Sequence, residues 1–276
     1  MLNLENLTLP LNVSVEPVTV VKNSVELTGL KISSAEDEKT GFSAEPIVYY
    51  DDTDTAESVS LKIKEIMMSP KPVIDVQWIT WPYVKDNVYL AVQRVSEDRN
   101  LVRRPYLNLE LVLRVRLGNS EDGITSYKVT TGVLKNLGVT EEELYRAAAG
   151  NCEDSYSVKG MQEVLFGEEP EHEDLYVVNS RSRIDGASAI AFPEVFQEFC
   201  DAHDEEDCYI LPSSTEELLI VRGSAVDIGG IPLQKLADMV SEVNSAEVAP
   251  ELQLDPVVYR YDTESKTICI AASAEV

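Results

Sequence analysis

Leucine occupies every second position from Leu107 to Leu113, and the pattern runs on through Val115 to Leu117. Side chains alternate across a strand with a period of two, so these six residues share one face. Asn108, Glu110, Val112, Arg114 and Arg116 take the other face. A helix cannot gather that pattern onto one side, so the chain must contain a sheet with one face against a core. Gly118–Gly123 reads as a turn into a partner strand, Ile124–Val129.

Other segments supply the sheet's company. Val13–Val21 and Val25–Ile32 flank Lys22-Asn23-Ser24 and predict a hairpin, with Pro17 placing the first run at an edge or a bulge. An acidic loop, Glu36–Lys39, leads to a third run, Pro46–Tyr50. Asp51-Asp52-Thr53-Asp54 caps a helix from Thr55 to Met68, which Ser69-Pro70-Lys71-Pro72 stops. Val73–Val84, with Trp78, Trp81 and Tyr83, reads equally as helix or irregular chain; Val88–Val95 returns to strand. Thr140 and Glu143 form a capping box for a helix reaching Ala149, and a short helix is expected over Val158–Phe166.

From Asp174 to Gly223 the pattern is strand, strand, helix, strand, strand. Leu175–Val178 and Ala187–Phe192 flank Asp185-Gly186 as a hairpin. Pro193 opens a helix with Val195, Phe196, Phe199 and Cys200 on one stripe. Cys208–Leu211 and Leu218–Val221 make a second hairpin around Pro212-Ser213-Ser214. Pro232 opens another helix through Leu233, Leu236, Val240 and Val243, and Val257–Tyr261 with Thr267–Ala271 close the chain. Repeated hairpin-helix units of this kind imply an α+β fold, largely antiparallel, with helices packed on a face. The polar run Gly167–Asp174 sets a soft boundary at 167–173 between an N-terminal α+β region, 1–166, and a C-terminal hairpin-helix region, 174–276, with a single compact unit as the alternative.

Charge is distributed unevenly. The formal net charge is −26; residues 137–276 hold 30 acidic and 8 basic residues, against 19 and 15 in residues 1–136. Phosphate backbones require Lys and Arg for neutralisation, so direct nucleic-acid binding is not expected. Glu168–Asp174 and Asp204–Asp207 either solvate the surface or form part of a face for a basic protein partner. No apolar run has the length of a membrane span and no basic stretch precedes Lys22, so a cytoplasmic location is the default. Cys152, Cys200, Cys208 and Cys269 lie far apart and read as reduced thiols.

Four segments in order, VTEEELY (Val139–Tyr145), YVVNSRSRIDGASAI (Tyr176–Ile190), YILPSSTEELLIV (Tyr209–Val221) and VNSAEVAPE (Val243–Glu251) ahead of VYRYD (Val258–Asp262), resemble an uncharacterised bacterial family known only as a domain of unknown function. The matching wording lies mostly in the C-terminal half. Residues 1–12 depart from the leading acidic helix that the resemblance implies. With no established activity in the family, the resemblance implies a fold, and neither a substrate nor catalytic residues.

Candidate chemistry is sparse. The two histidines, His172 and His203, sit in acidic stretches, and no GxSxG elbow exists. Cys200, His203 and Cys208 form C-x2-H-x4-C, with His172 or Cys152 as a fourth zinc ligand; without a second tight pair, two buried thiols and a partly exposed imidazole are the favoured reading. Asp51, Asp52 and Asp54 at a strand end suit Mg²⁺ or a carboxylate-based enzyme site, and suit a turn and helix cap as well. Gly229-Gly230 precedes a helix but lacks a phosphate-loop lysine. Arg99, Arg103, Arg104, Arg181 and Arg183 read as anion ligands or as partners for nearby carboxylates. The residues therefore assign no catalytic, cofactor or metal site. They favour a non-catalytic binding protein, with an enzyme built on Asp51, Asp52 and Asp54 as the alternative.

Overall fold

The computed structural model describes residues 3–34, 46–68, 76–120, 123–152, 155–167, 170, 172–227 and 230–274. The Glu36–Lys39 loop, the Ser69–Pro72 helix stop, Gly229 and part of the Gly118–Gly123 and Gly167–Asp174 runs lie outside them. The chain forms two compact units, Met1–Trp78 and Ile79–Val276.

In the first unit, β1 (Val13–Lys22) and β2 (Val25–Ser34) form the expected hairpin, in register from Val13↔Ser34 to Lys22↔Val25. Asn23 and Ser24 both have positive φ, 47° and 64°, as a two-residue hairpin turn requires. A short β3 (Ile47–Tyr49) pairs with β2, leaving Pro17 on the outer strand, where a missing N–H costs no ladder bond. Helix α1 (Ala56–Met68) buries Val59 and Ile63 against Leu30, Ile32 and Val48.

The second unit holds two further sheets. Among the described residues, every strand pairing is antiparallel. The stretch through Trp78 resolves into a 3-10 turn, Val76–Ile79, and α2 (Trp81–Asn87), with Pro82 in its first turn. Strands β4 (Val88–Arg94), β5 (Arg103–Tyr106), β6 (Leu109–Ser120) and β7 (Gly123–Lys128) make a sheet centred on β6. The leucine alternation is this central strand, and Leu109, Leu113 and Val115 are buried as the period requires. Leu107 is a correction: with φ 53° and 41% exposed, it belongs to the tight turn between β5 and β6. The opposite face is not solvated either. Glu110 is 5% exposed, bound to Arg103 Nη1 at 2.7 Å. Arg114 reaches Ser126 Oγ at 2.8 Å.

Behind this sheet lie α3 (Thr131–Leu137) and α4 (Glu141–Cys152). Thr140 and Glu143 exchange the reciprocal capping-box bonds, with Glu143 Oε2 accepting the Thr140 amide at 2.8 Å.

The larger sheet contains β8 (Tyr156–Gly160), β9 (Leu175–Ser180), β10 (Asp207–Leu211), β11 (Glu217–Arg222), β12 (Val257–Asp262) and β13 (Thr267–Ser273), in the order β13-β12-β10-β11-β9-β8. The helix expected over Val158–Phe166 is therefore half strand: β8 ends at Gly160 and α5 spans Met161–Phe166. Residues 167–173, read as a linker, follow α5 and precede β9, and the strands on either side of this segment, β8 and β9, pair with each other.

Pro193 opens α6 (Pro193–His203), and Pro232 precedes α8 (Leu233–Glu247) as its N-cap; the short α7 (Gly223–Asp227) follows β11. Alternation along β10 explains the layering. Cys208 and Ile210 join Phe196, Phe199 and Ile190 on one side, while Tyr209 and Leu211 join Leu236, Ala237 and Val240 on the other. A central strand covered on both faces is buried throughout, and β10 is.

The expected hairpin between Leu175–Val178 and Ala187–Phe192 does not form. Gly186–Ala191 is a 3-10 turn, and β9 pairs with β11 and β8 instead. Ala187, Ala189 and Ile190 are all fully buried, leaving no polar face to alternate. The Gly186 and Ala187 amides bond to the Glu216 and Thr215 carbonyls, pinning the turn beside β11. A Cβ on Gly186 would collide with the Glu216 carbonyl oxygen and the Ser180 amide nitrogen.

Candidate functional site

A cleft of about 770 Å³ opens in the second unit between the β8–β9 edge of the larger sheet and α6. Pairing of Gly160 with Tyr176 and Tyr156 with Ser180 fixes this edge. Pro193 fixes where α6 starts, and its helical period turns Val195, Phe199 and His203 toward the cleft. The floor is aromatic. Tyr176 meets Phe199 edge-on at 4.9 Å and His203 at 4.8 Å; Phe199 and His203 lie 4.3 Å apart. Tyr156 packs on Phe192 at 5.3 Å.

Four carboxylates line the cleft, Glu163, Glu173, Glu194 and Glu198, against one ammonium, Lys159, and one guanidinium, Arg181. Glu163 pairs with Lys159, and Glu173 accepts the Gln162 amide at 2.8 Å. Glu194 and Glu198 stand on the exposed side of α6, one turn apart.

A smaller pocket of about 150 Å³ shares Cys152, Tyr156 and Arg181 with the cleft as its wall. Its interior is polar. Asp185, 4% exposed, sits at φ 53°, a left-handed conformation that Asp adopts more readily than most residues. Its carboxylate accepts the Tyr89 hydroxyl at 3.0 Å and lies 3.5 Å from Arg114 Nε. Burial raises the Asp185 pKa, and Arg114 and the Tyr89 bond only partly offset it. Burial likewise lifts Tyr89 to about 12, with the Asp185 charge adding to it. The Ser188 hydroxyl donates to the Asp185 carbonyl at 2.5 Å, so Tyr156 donates to Ser188 at 2.8 Å. Burial also pushes the Tyr156 phenol and the Cys152 thiol upward.

The candidates raised by sequence fall elsewhere. Asp51 accepts the Thr53 amide at 2.7 Å, and its pKa is lowered by the Thr53 hydroxyl and amide. Asp54 binds Lys62 at 2.8 Å and Ser58 at 2.8 Å, so both carboxylates serve the turn and the start of α1. Asp52 is exposed beside them. The structure brings the Cys200 and Cys208 thiols together in the core, but His203 does not join them. His203 Nδ1 contacts the Phe199 carbonyl at 2.8 Å, while Cys200 and Cys208 are fully buried. Among the described residues, no three of His, Cys, Asp and Glu form a group able to hold a metal. Arg103 pairs with Glu110, and Arg104 pairs with Glu141 and Glu142 while lying 3.8 Å over the Tyr145 ring. Trp81 and Tyr83 pack against the core beneath α4.

Within the acidic run Asp204–Asp207, Asp204 and Glu206 are exposed, whereas Glu205 and Asp207 are engaged. Glu205 takes Arg222 Nε at 2.6 Å together with the amide and hydroxyl of Ser224. Asp207, 4% exposed, takes Arg260 Nε at 2.5 Å. Asp204 is the left-handed cap of α6.

Three antiparallel sheets with helices on their faces make this an α+β protein. The chain belongs to the DUF5688 family, a family of unknown function, whose sequence profile matches residues 4–263. The match thus extends through the N-terminal unit, well beyond the C-terminal wording that carried the resemblance. No curated protein and no solved structure matches the chain. No helix among the described residues is long and apolar enough to cross a membrane.

Proposed function

We propose that this protein is a non-catalytic binding protein whose cleft receives the cationic side chains of a basic protein partner. One observation carries the reading: the cleft sets four carboxylates against two basic groups above a floor of Tyr176, Phe199 and His203. Carboxylates attract an ammonium or guanidinium, and aromatic faces accept its charge through their quadrupoles, an effect of about 0.5–2 kcal/mol per contact. Glu194 and Glu198, which make no ion pair among the described residues, are the two rim charges that a partner meets first. The overall charge of −26 adds long-range attraction for the same class of partner.

The test is a titration of a fluorescent lysine-rich peptide into the full chain at low and high salt. Binding weakens as the Debye length falls from about 10 Å at 0.1 M to about 3 Å at 1 M. Glu194→Gln combined with Glu198→Gln lowers affinity about tenfold, from two exposed pairs of about 0.2–1 kcal/mol each. Unchanged affinity in that variant would remove the cleft from the account.

A further inference from the structure

Arg116 lines the inner pocket and has one donor without a partner among the described residues. Its Nε is buried and, among the described residues, has no hydrogen-bond partner. No ion pair to a described carboxylate engages its guanidinium, which lies 5.5 Å over the Tyr89 ring. Arg181, an exposed residue of the same lining, likewise makes no ion pair among the described residues. A buried N–H without an acceptor is costly, and proteins keep such donors where something else completes them.

The pocket's own carboxylate does not fill this role. Asp185 is engaged by Tyr89 and Arg114, and Arg114 lies outside the pocket lining. The C-terminal end of α4, at Asn151 and Cys152, sets only about half a negative charge against two full positive ones. A positive surplus therefore remains, on groups whose planar forks match oxygen pairs. At about 150 Å³ the space suits a group of a few atoms.

We propose that the inner pocket is a binding site for a small oxyanion, phosphate, sulfate or a carboxylate, held by Arg116 and Arg181. The site shares the wall residues Cys152, Tyr156 and Arg181 with the cleft but does not rest on the cleft reading, since the acidic rim plays no part in it.

The test is calorimetric titration of the full chain with sodium phosphate, sodium sulfate and sodium acetate at constant ionic strength set by chloride. Saturable binding of at least one is expected. Phosphate and sulfate without acetate assign a tetrahedral anion, and acetate alone assigns a carboxylate. Arg116→Met weakens binding at least tenfold, Arg116→Lys weakens it less, and Arg181→Met weakens it severalfold, with circular dichroism confirming folding. Should Arg116→Met fail to fold, the Nε–H resonance of Arg116 in the wild-type protein must shift with the same saturation curve. Absence of saturable binding by all three anions, undiminished binding in folded Arg116→Met, or an unmoved Arg116 resonance each overturns the proposal.

Discussion

Glu205 offers the sharpest perturbation, because a residue within an acidic surface run proves to be a buried anchor. Its side chain is 5% exposed and accepts three donors: Arg222 Nε at 2.6 Å, the Ser224 amide at 2.8 Å and the Ser224 hydroxyl at 2.6 Å. Breaking a fully buried pair by removing one partner costs about 3–5 kcal/mol. Arg222 remains 24% exposed and keeps the His203 carbonyl at 3.4 Å, so it recovers part of that loss from water. Glu205→Ala is accordingly expected to destabilise by about 2–3 kcal/mol. Denaturant unfolding followed by circular dichroism reads this directly; in a thermal melt it appears as a fall of about 5–10 °C.

The pH dependence adds a second signature. Burial alone would raise the Glu205 pKa, but the Ser224 and Arg222 hydrogen bonds outweigh it and the folded-state value is lowered. Its contribution is therefore fully present above the unfolded value of 4.5 and is lost as pH falls through the folded value beneath it. Wild-type and Glu205→Gln stabilities should converge as the solution is acidified. A cost within about 0.5 kcal/mol of zero, as for an ordinary surface substitution, would refute the anchoring role. So would a wild-type-to-Gln gap independent of pH.

Three further outcomes follow from the packing. Gly186→Ala forces a Cβ into the Glu216 carbonyl and the Ser180 amide and should cost about 2–4 kcal/mol in the same unfolding assay. Thr140→Ala removes the acceptor for the Glu143 amide and should cost about 1 kcal/mol, with no change in peptide binding. A fragment of residues 79–276 should fold alone with a cooperative melt, whereas cutting at 167–173 should leave neither piece folded, since β8 and β9 pair across that run.

Local chemistry was readable wherever a short period or a cap dictates structure. The leucine alternation located the central strand of its sheet, Thr140 and Glu143 located a helix start, and Pro193 and Pro232 located two more. Failures came where burial is tertiary. Ala187–Phe192 has strand-like apolarity, yet it wedges between two sheets as a turn, which only its small residues and Gly186 permit.

The candidate sites were almost illegible, for the same reason. Tyr89 meets Asp185 across 96 positions and Tyr156 meets Ser188 across 32, separations that leave no motif. The acidic runs stand out by composition, but Glu205 and Asp207 are buried carboxylates paired with the partly exposed Arg222 and Arg260. Glu194 and Glu198, which line the cleft, stand out in sequence only by their spacing of one helical turn.

Backbone ¹⁵N–¹H mapping during titration with the lysine-rich peptide tests the central claim most directly, because it separates a cleft from a diffuse acidic surface. Saturating shifts are expected to concentrate at Tyr156, Tyr176, Glu194, Glu198, Phe199 and His203, the residues that form the rim and floor. Shifts scattered over acidic residues throughout the chain, with those six unmoved, would contradict that claim.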